Sequence, residues 1–105
     1  MVQVNWTRDA IDDIDGIAAF IARDSPRSAT LIVERFLECA DLLSAHPRRG
    51  KRVRELGVDP VRELRVSSYR LIYLIVNEAQ IDVLAIHHQK QLLPRPLLTR
   101  RMRRR

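Results

Sequence analysis

The chain has 105 residues, 46% of them hydrophobic and 30% charged, with a formal net charge of +6. That balance suits one small folded domain with a single modest core, and excludes both a disordered chain and a chain long enough for two cores. No run of about 18 apolar residues is present to span a bilayer, the lone Cys39 has no internal disulfide partner, and no Cys/His spacing suggests a zinc site.

In chain order, Val2, Val4 and Trp6 alternate with polar residues, a period of two that predicts a short strand with one buried face. Thr7 stands where a helix N-cap belongs, with Asp9, Asp12 and Asp13 placed favourably for the helix dipole. Ala10, Ile11, Ile14, Ile17, Ala18 and Ile21 then predict an amphipathic helix from residue 8 to about 23. Gly16, near its centre, is expected to allow close packing against the next helix. Ser25-Pro26 marks that helix's start, Ser as N-cap and Pro at the first helical position, where its missing N–H costs nothing. Ala29, Ile32, Val33, Phe36, Ala40 and Leu43 give a second apolar stripe, ending near His46-Pro47. So tight a break folds the two helices back as an antiparallel hairpin, with Cys39 expected in the core.

His46–Gly50 reads as a turn, Arg52–Leu56 as a short strand, and Gly57–Pro60 as another turn. Val61–Val66, Tyr69–Val76 and Ile81–His88 follow as strands, joined closely enough to be antiparallel neighbours. The middle one, YRLIYLIV, is apolar on nearly both faces and is expected at the centre of the sheet. The first strand must also join that sheet, because an isolated strand leaves its backbone groups unpaired. The predicted fold is therefore α+β: an N-terminal strand and an antiparallel helical hairpin packed on one face of an antiparallel β-sheet. Residues 1–94 make the domain, and residues 95–105, ending TRRMRRR, are expected to be a basic, mobile tail.

Charge is segregated along this order. Residues 1–46 carry four Lys/Arg against eight Asp/Glu, whereas residues 47–105 carry fifteen against five. An acidic half joined to a basic half steers approach to acidic partners. Arg62, Arg65, Arg70, His87, His88 and Lys90 fall within one three-stranded meander, so its partner should be anionic. The N-terminal MVQVNWTRD has no basic region followed by an apolar one, so a cytoplasmic location is expected.

Several segments resemble the RelE/ParE superfamily, the toxins of type II toxin–antitoxin modules. Trp6–Ala10 with Asp12-Asp13-Ile14 looks like the family's strand-to-helix start, and Ser25-Pro26 with Ala29 like its helix break. Pro47–Leu56 resembles "P-x-x-G-[RK]-x-V-x-E-L", Arg62-Glu63 and Tyr69–Tyr73 resemble "R-E" and "Y-R-[IL]-x-Y", and Val83–His88 is similar to "V-L-x-[IV]-x-H". The resemblance implies a toxin held in check by a labile antitoxin. ParE-like members inhibit DNA gyrase, whereas RelE-like members cut mRNA, usually in the ribosome.

Metal-free RNA cleavage needs a base for the 2′-OH, cations for the phosphate and an acid for the leaving oxygen. Glu63 as base, Arg65 and Arg70 as a phosphate clamp and His87 or His88 as proton carriers would be the parts. Strand alternation sends His87 and His88 to opposite faces, and Arg62 and Glu63 likewise, so ordinary cross-strand pairing explains them as well. Tyr69 and Tyr73 share a face, as core residues do. Only two lysines are present and the helical half is acidic, unlike a surface built to grip ribosomal RNA. The favoured expectation is a ParE-like gyrase inhibitor, with the mRNA interferase, an inactive toxin or a nucleic-acid-binding module as alternatives. An acidic, amphipathic antitoxin segment would lie along the basic sheet or add a strand at its edge, forming a hetero-oligomer. The residues expected to meet antitoxin or target are Arg48, Arg49, Arg52, Arg54, Arg62, Arg65, Arg70, His88 and Lys90. No cofactor, metal or membrane is expected.

Overall fold

Two capping side chains fix where the helices begin. In the computed structural model, which describes all residues from Met1 to Arg105, a first strand β1 (Gln3–Trp6) leads into helix α1 (Arg8–Ala22). The Thr7 hydroxyl accepts a hydrogen bond from the Ala10 amide at 3.2 Å and donates to the Val83 carbonyl at 2.6 Å. One side chain thus caps the helix and ties it to the sheet. Ser25 accepts from the Ser28 amide at 3.1 Å, with Pro26 opening helix α2 (Pro26–Ala45).

The remaining elements are β2 (Lys51–Arg52), β3 (Val61–Val66), β4 (Tyr69–Asn77), β5 (Gln80–His88) and a third helix α3 (Arg95–Arg103). The five strands form one sheet in the order β1-β5-β4-β3-β2, with β4 in the centre as its doubly apolar sequence predicts. The β3–β4 hairpin turns through two residues, with Ser67 at φ 55°, the left-handed conformation that such tight turns require.

The structure departs from the sequence-based expectation in four places. The sheet is mixed, because β1 runs parallel to β5. The strand expected over Arg52–Leu56 is only Lys51–Arg52, after which the chain turns away. Gly16 does not mediate close helix packing, since a Cβ there would meet nothing within 4 Å. And the tail expected to be mobile forms α3, whose Leu98 is completely buried.

That helix explains why β4 is apolar on both sides. One face packs Leu71, Tyr73, Ile81, Val83 and Ile86 against Ala10, Ile32, Phe36, Cys39 and Leu43 of the hairpin. The other packs Ile72, Leu74, Leu84 and Ala85 against Val53, Leu56, Leu93 and Leu98. Three helices therefore cover a five-stranded mixed sheet, α3 on the face opposite the hairpin. Each fully buried aliphatic side chain contributes about 1.5–3 kcal/mol, so α3 is an integral part of the domain.

β1 ends before β5 does, and side chains close the edge left open. The Asp13 carboxylate accepts from the Ile86 amide at 2.9 Å, and Arg101 of α3 donates to the Leu84 carbonyl at 3.1 Å. These contacts satisfy backbone groups that an unpaired edge strand would otherwise present. No helix is long and apolar enough to cross a membrane.

Candidate functional site

The polar surface lies where β3 and β4 extend beyond the cover of α3. Arg65, Arg70 and His87 are neighbours across β3, β4 and β5, Arg65 in register with Arg70 and Arg70 with His87. Glu63 lies two residues along β3 on the same side, since side chains alternate along a strand. Four of the five residues considered for RNA cleavage are therefore grouped, whereas His88 projects to the hairpin face and stacks edge-on against Tyr69, ring centroids 5.5 Å apart.

The cleft over this region holds about 370 Å³ and has no apolar side chain in its wall, with Lys51, Arg52, Arg54 and Gln89 at its rim. Its centre is already occupied by the protein's own ions. Arg70 donates through Nη1 and Nη2 to both carboxylate oxygens of Glu55, each at 2.8 Å. Its Nε donates to Glu63 at 2.9 Å, with a further short contact from Nη2. A planar guanidinium held by two carboxylates has its donors committed. The hydrogen bonds from Arg70 hold the Glu55 carboxyl down at about 2, against an ordinary 4.5, and Glu55 in turn raises Arg70. Arg65 is hydrogen-bonded to Gln89.

A second group of cations is likewise engaged. Asp59 meets Arg62 at 2.8 Å, Arg48 at 3.1 Å and Arg52 at 3.2 Å, and these guanidiniums, Arg48 first, lower its carboxyl. Arg62 also donates to the Gly50 carbonyl at 3.0 Å. The Tyr73 hydroxyl accepts from the Gly50 amide at 3.0 Å and donates to the Pro47 carbonyl at 2.8 Å. A Cβ at Gly50 would lie 2.7 Å from both the Glu63 carbonyl oxygen and the Tyr73 hydroxyl, which explains the glycine in the turn. Of the nine residues expected to meet antitoxin or target, Arg48, Arg52, Arg62 and Arg70 are thus tied to internal carboxylates. Arg49, Arg54 and Lys90 are exposed and have no ion-pair partner.

His87 has a different environment. Its ring lies 3.7 Å from Asp13, but both ring nitrogens are buried without a hydrogen-bond partner. Burial lowers its pKa, and the nearby Arg101 and Arg70 lower it further against the pull of Asp13. Asp13 itself is claimed by Arg101 at 2.6 and 3.1 Å. An imidazole whose two nitrogens are both buried and whose charged form is disfavoured is poorly placed to carry protons to a substrate.

Sequence reasoning missed Glu55, Gln89, Asp13 and Arg101. Glu55 had a signal, since it is the glutamate of the motif Pro47–Leu56. Cys39 is buried, its thiol pushed up to about 11 by desolvation, which agrees with a core role. No group of His, Cys, Asp and Glu is arranged to hold a metal ion.

Comparison with known proteins gives concordant results. A family described as the ParE toxin of type II toxin–antitoxin systems, parDE, matches residues 4–93. The Sinorhizobium fredii protein Y4kP, named as a candidate toxin, is 27% identical over 95 residues, covering 90% of this chain and 96% of its own length. Among solved structures, the chromosomal ParDE toxin–antitoxin system from P. aeruginosa superposes with a TM-score of 0.66 at 25% identity, covering 84% of this chain and 96% of that one. The toxin–antitoxin complex RelBE2 from Mycobacterium tuberculosis superposes with a TM-score of 0.55 at 28% identity, covering 83% and 96%.

Proposed function

This chain belongs to the ParE toxin family of type II toxin–antitoxin systems, and from that premise we propose that it arrests growth by binding DNA gyrase, without catalysis. The observation that carries the proposal is the closure of Arg70 by Glu55 and Glu63. Phosphoryl chemistry on RNA needs a cation free to take the developing charge, and a proton carrier open to the substrate. Here the central guanidinium is neutralised on two sides, and the ring nitrogens of the adjacent His87 are buried without a hydrogen-bond partner, its pKa lowered. What remains at the rim is a basic docking surface. It acts in the cytoplasm, where the target is found.

The antitoxin occupies part of the same surface. Arg49, Arg54, Arg65 and Lys90 are the cations available to an acidic segment. Leu92, 90% exposed next to the Arg54 side of the cleft, supplies an apolar footing for an amphipathic one. Charge complementarity there speeds association more than it strengthens it.

A second reading, ribosome-dependent mRNA cleavage, is favoured by one observation: Arg65, Arg70 and His87 do stand side by side on one face. Expressing the chain without antitoxin separates the two. The gyrase reading expects DNA synthesis to stop first, with filamentation and the DNA-damage response. Protein synthesis stopping first, with new mRNA ends by primer extension, would establish the nuclease reading instead, and unimpaired growth would mean an inactive toxin.

A further inference from the structure

Six of the last eleven residues are arginines, and the fold divides them into two sets of three. Arg101 pairs with Asp13 of α1, Arg104 with Asp9 at 2.9 and 2.6 Å, and Arg105 with Asp82 of β5 at 2.8 Å. With Leu98 buried beneath them, these contacts fix both the position and the rotation of α3. Arg95, Arg100 and Arg103 form no ion pair and are exposed.

At about 100° per residue, Arg95, Arg103 and Arg100 fall within an arc of about 140° on the outer side of α3, and they span about 12 Å along it. Only Pro96 and Thr99 share that arc, and the Thr99 hydroxyl is turned back to the Arg95 and Pro96 carbonyls. The apolar residues of the helix, Leu97, Leu98 and Met102, pack toward the sheet. The carboxylates nearest the helix are neutralised by the other three arginines, so the outer cations are not cancelled locally.

We infer that the outer face of α3 is a docking strip for the phosphate backbone of duplex DNA. A protein partner's binding energy is concentrated in a few aromatic or arginine anchors seated in desolvated, well-packed surroundings, whereas these three arginines stand on the open outer side of α3 with no aromatic or large aliphatic side chain among them to exclude water. A duplex presents one negative charge per about 1.7 Å of its axis, so cations on a rigid helix release counterions without needing apolar contact. Fixing α3 beforehand avoids the ordering cost that a mobile basic tail would incur on binding. The strip is separate from the residues proposed to meet the antitoxin, and its assignment does not depend on which target the toxin poisons.

The test is fluorescence anisotropy of the full chain with a labelled duplex of about 20 base pairs, from about 50 to 200 mM salt. The wild type is compared with two triple variants of equal charge. One is Arg95→Ala/Arg100→Ala/Arg103→Ala, and the control removes exposed cations of the helical hairpin, Arg23→Ala/Arg27→Ala/Arg35→Ala. The α3 variant should fold normally and bind more weakly, with a log–log salt slope shallower by about 2.7. Raising the salt across that range then costs the wild type about 40-fold more affinity than it costs the variant. The control should keep the wild-type slope. Equal losses in both variants would reduce the effect to net charge and overturn the assignment. So would wild-type duplex binding by the α3 variant, whether or not its antitoxin binding falls.

Discussion

Replacing Arg70 with methionine keeps most of the side-chain stem and removes the fork that holds two carboxylates. Glu63 is 11% exposed and would be left with only Lys51, 3.9 Å away. Glu55 is 28% exposed and could turn toward water. Removing one partner of a buried pair costs about 3–5 kcal/mol, and solvent access at Glu55 lowers the expectation to about 2–4 kcal/mol. For a domain of this size that is a fall in Tm of roughly 10–25 °C. The loss should also depend on pH, with a definite sign. The Glu55 carboxyl is held at about 2 in the fold, below its ordinary 4.5, so its pairing stabilises the native state above the higher value. That contribution disappears as pH falls toward the lower one. The gap between wild type and Arg70→Met should therefore be widest at neutral pH and close as the carboxylates protonate. Urea unfolding followed by the fluorescence of Trp6, the single tryptophan, at a series of pH values measures this directly. A loss at pH 7 below about 0.5 kcal/mol, or one that does not change with pH, would refute the view of Arg70 as a structural ion.

Other substitutions probe the rest of the framework. Leu98→Ala should cost about 2–5 kcal/mol by leaving a cavity under α3, whereas Leu92→Ala, at a solvent-exposed position, should leave the melting temperature unchanged. Tyr73→Phe leaves the Gly50 amide and the Pro47 carbonyl without their partner and should cost about 1–3 kcal/mol, read as a lower urea midpoint at constant slope. Cys39 should resist thiol reagents at pH 8 until the protein unfolds, because its thiol is buried and pushed up to about 11; rapid labelling of the native protein would contradict that.

The parts of the fold legible from sequence were those encoded by near neighbours. Thr7 and Ser25 mark helix starts through contacts three residues away, Pro26 stands at the first helical position, and the strands β3, β4 and β5 sit on either side of short turns. The parallel pairing of β1 with β5 joins Gln3 to Gln80, a partnership that no local pattern specifies. α3 was hidden for a related reason. Its arginines and prolines read as a solvated tail, although Leu98 and Met102 have helical spacing and Pro96 stands in the first turn, where a helix tolerates proline. Its acidic partners lie 23 to 95 residues away. At the site, the strand pattern alone placed Arg65, Arg70 and His87 close together but did not show what they pair with. Arg70 looks like a phosphate clamp until Glu55, 15 residues before it, folds back through the turn after β2 and takes both of its terminal nitrogens.

The most direct measurement of the central claim is a DNA gyrase supercoiling assay with the purified chain, run beside primer extension on an mRNA in a translation reaction. Inhibition of supercoiling, relieved by the cognate antitoxin and unaccompanied by new mRNA ends, is the predicted result. Undisturbed supercoiling together with fresh cleavage sites in the mRNA would contradict it.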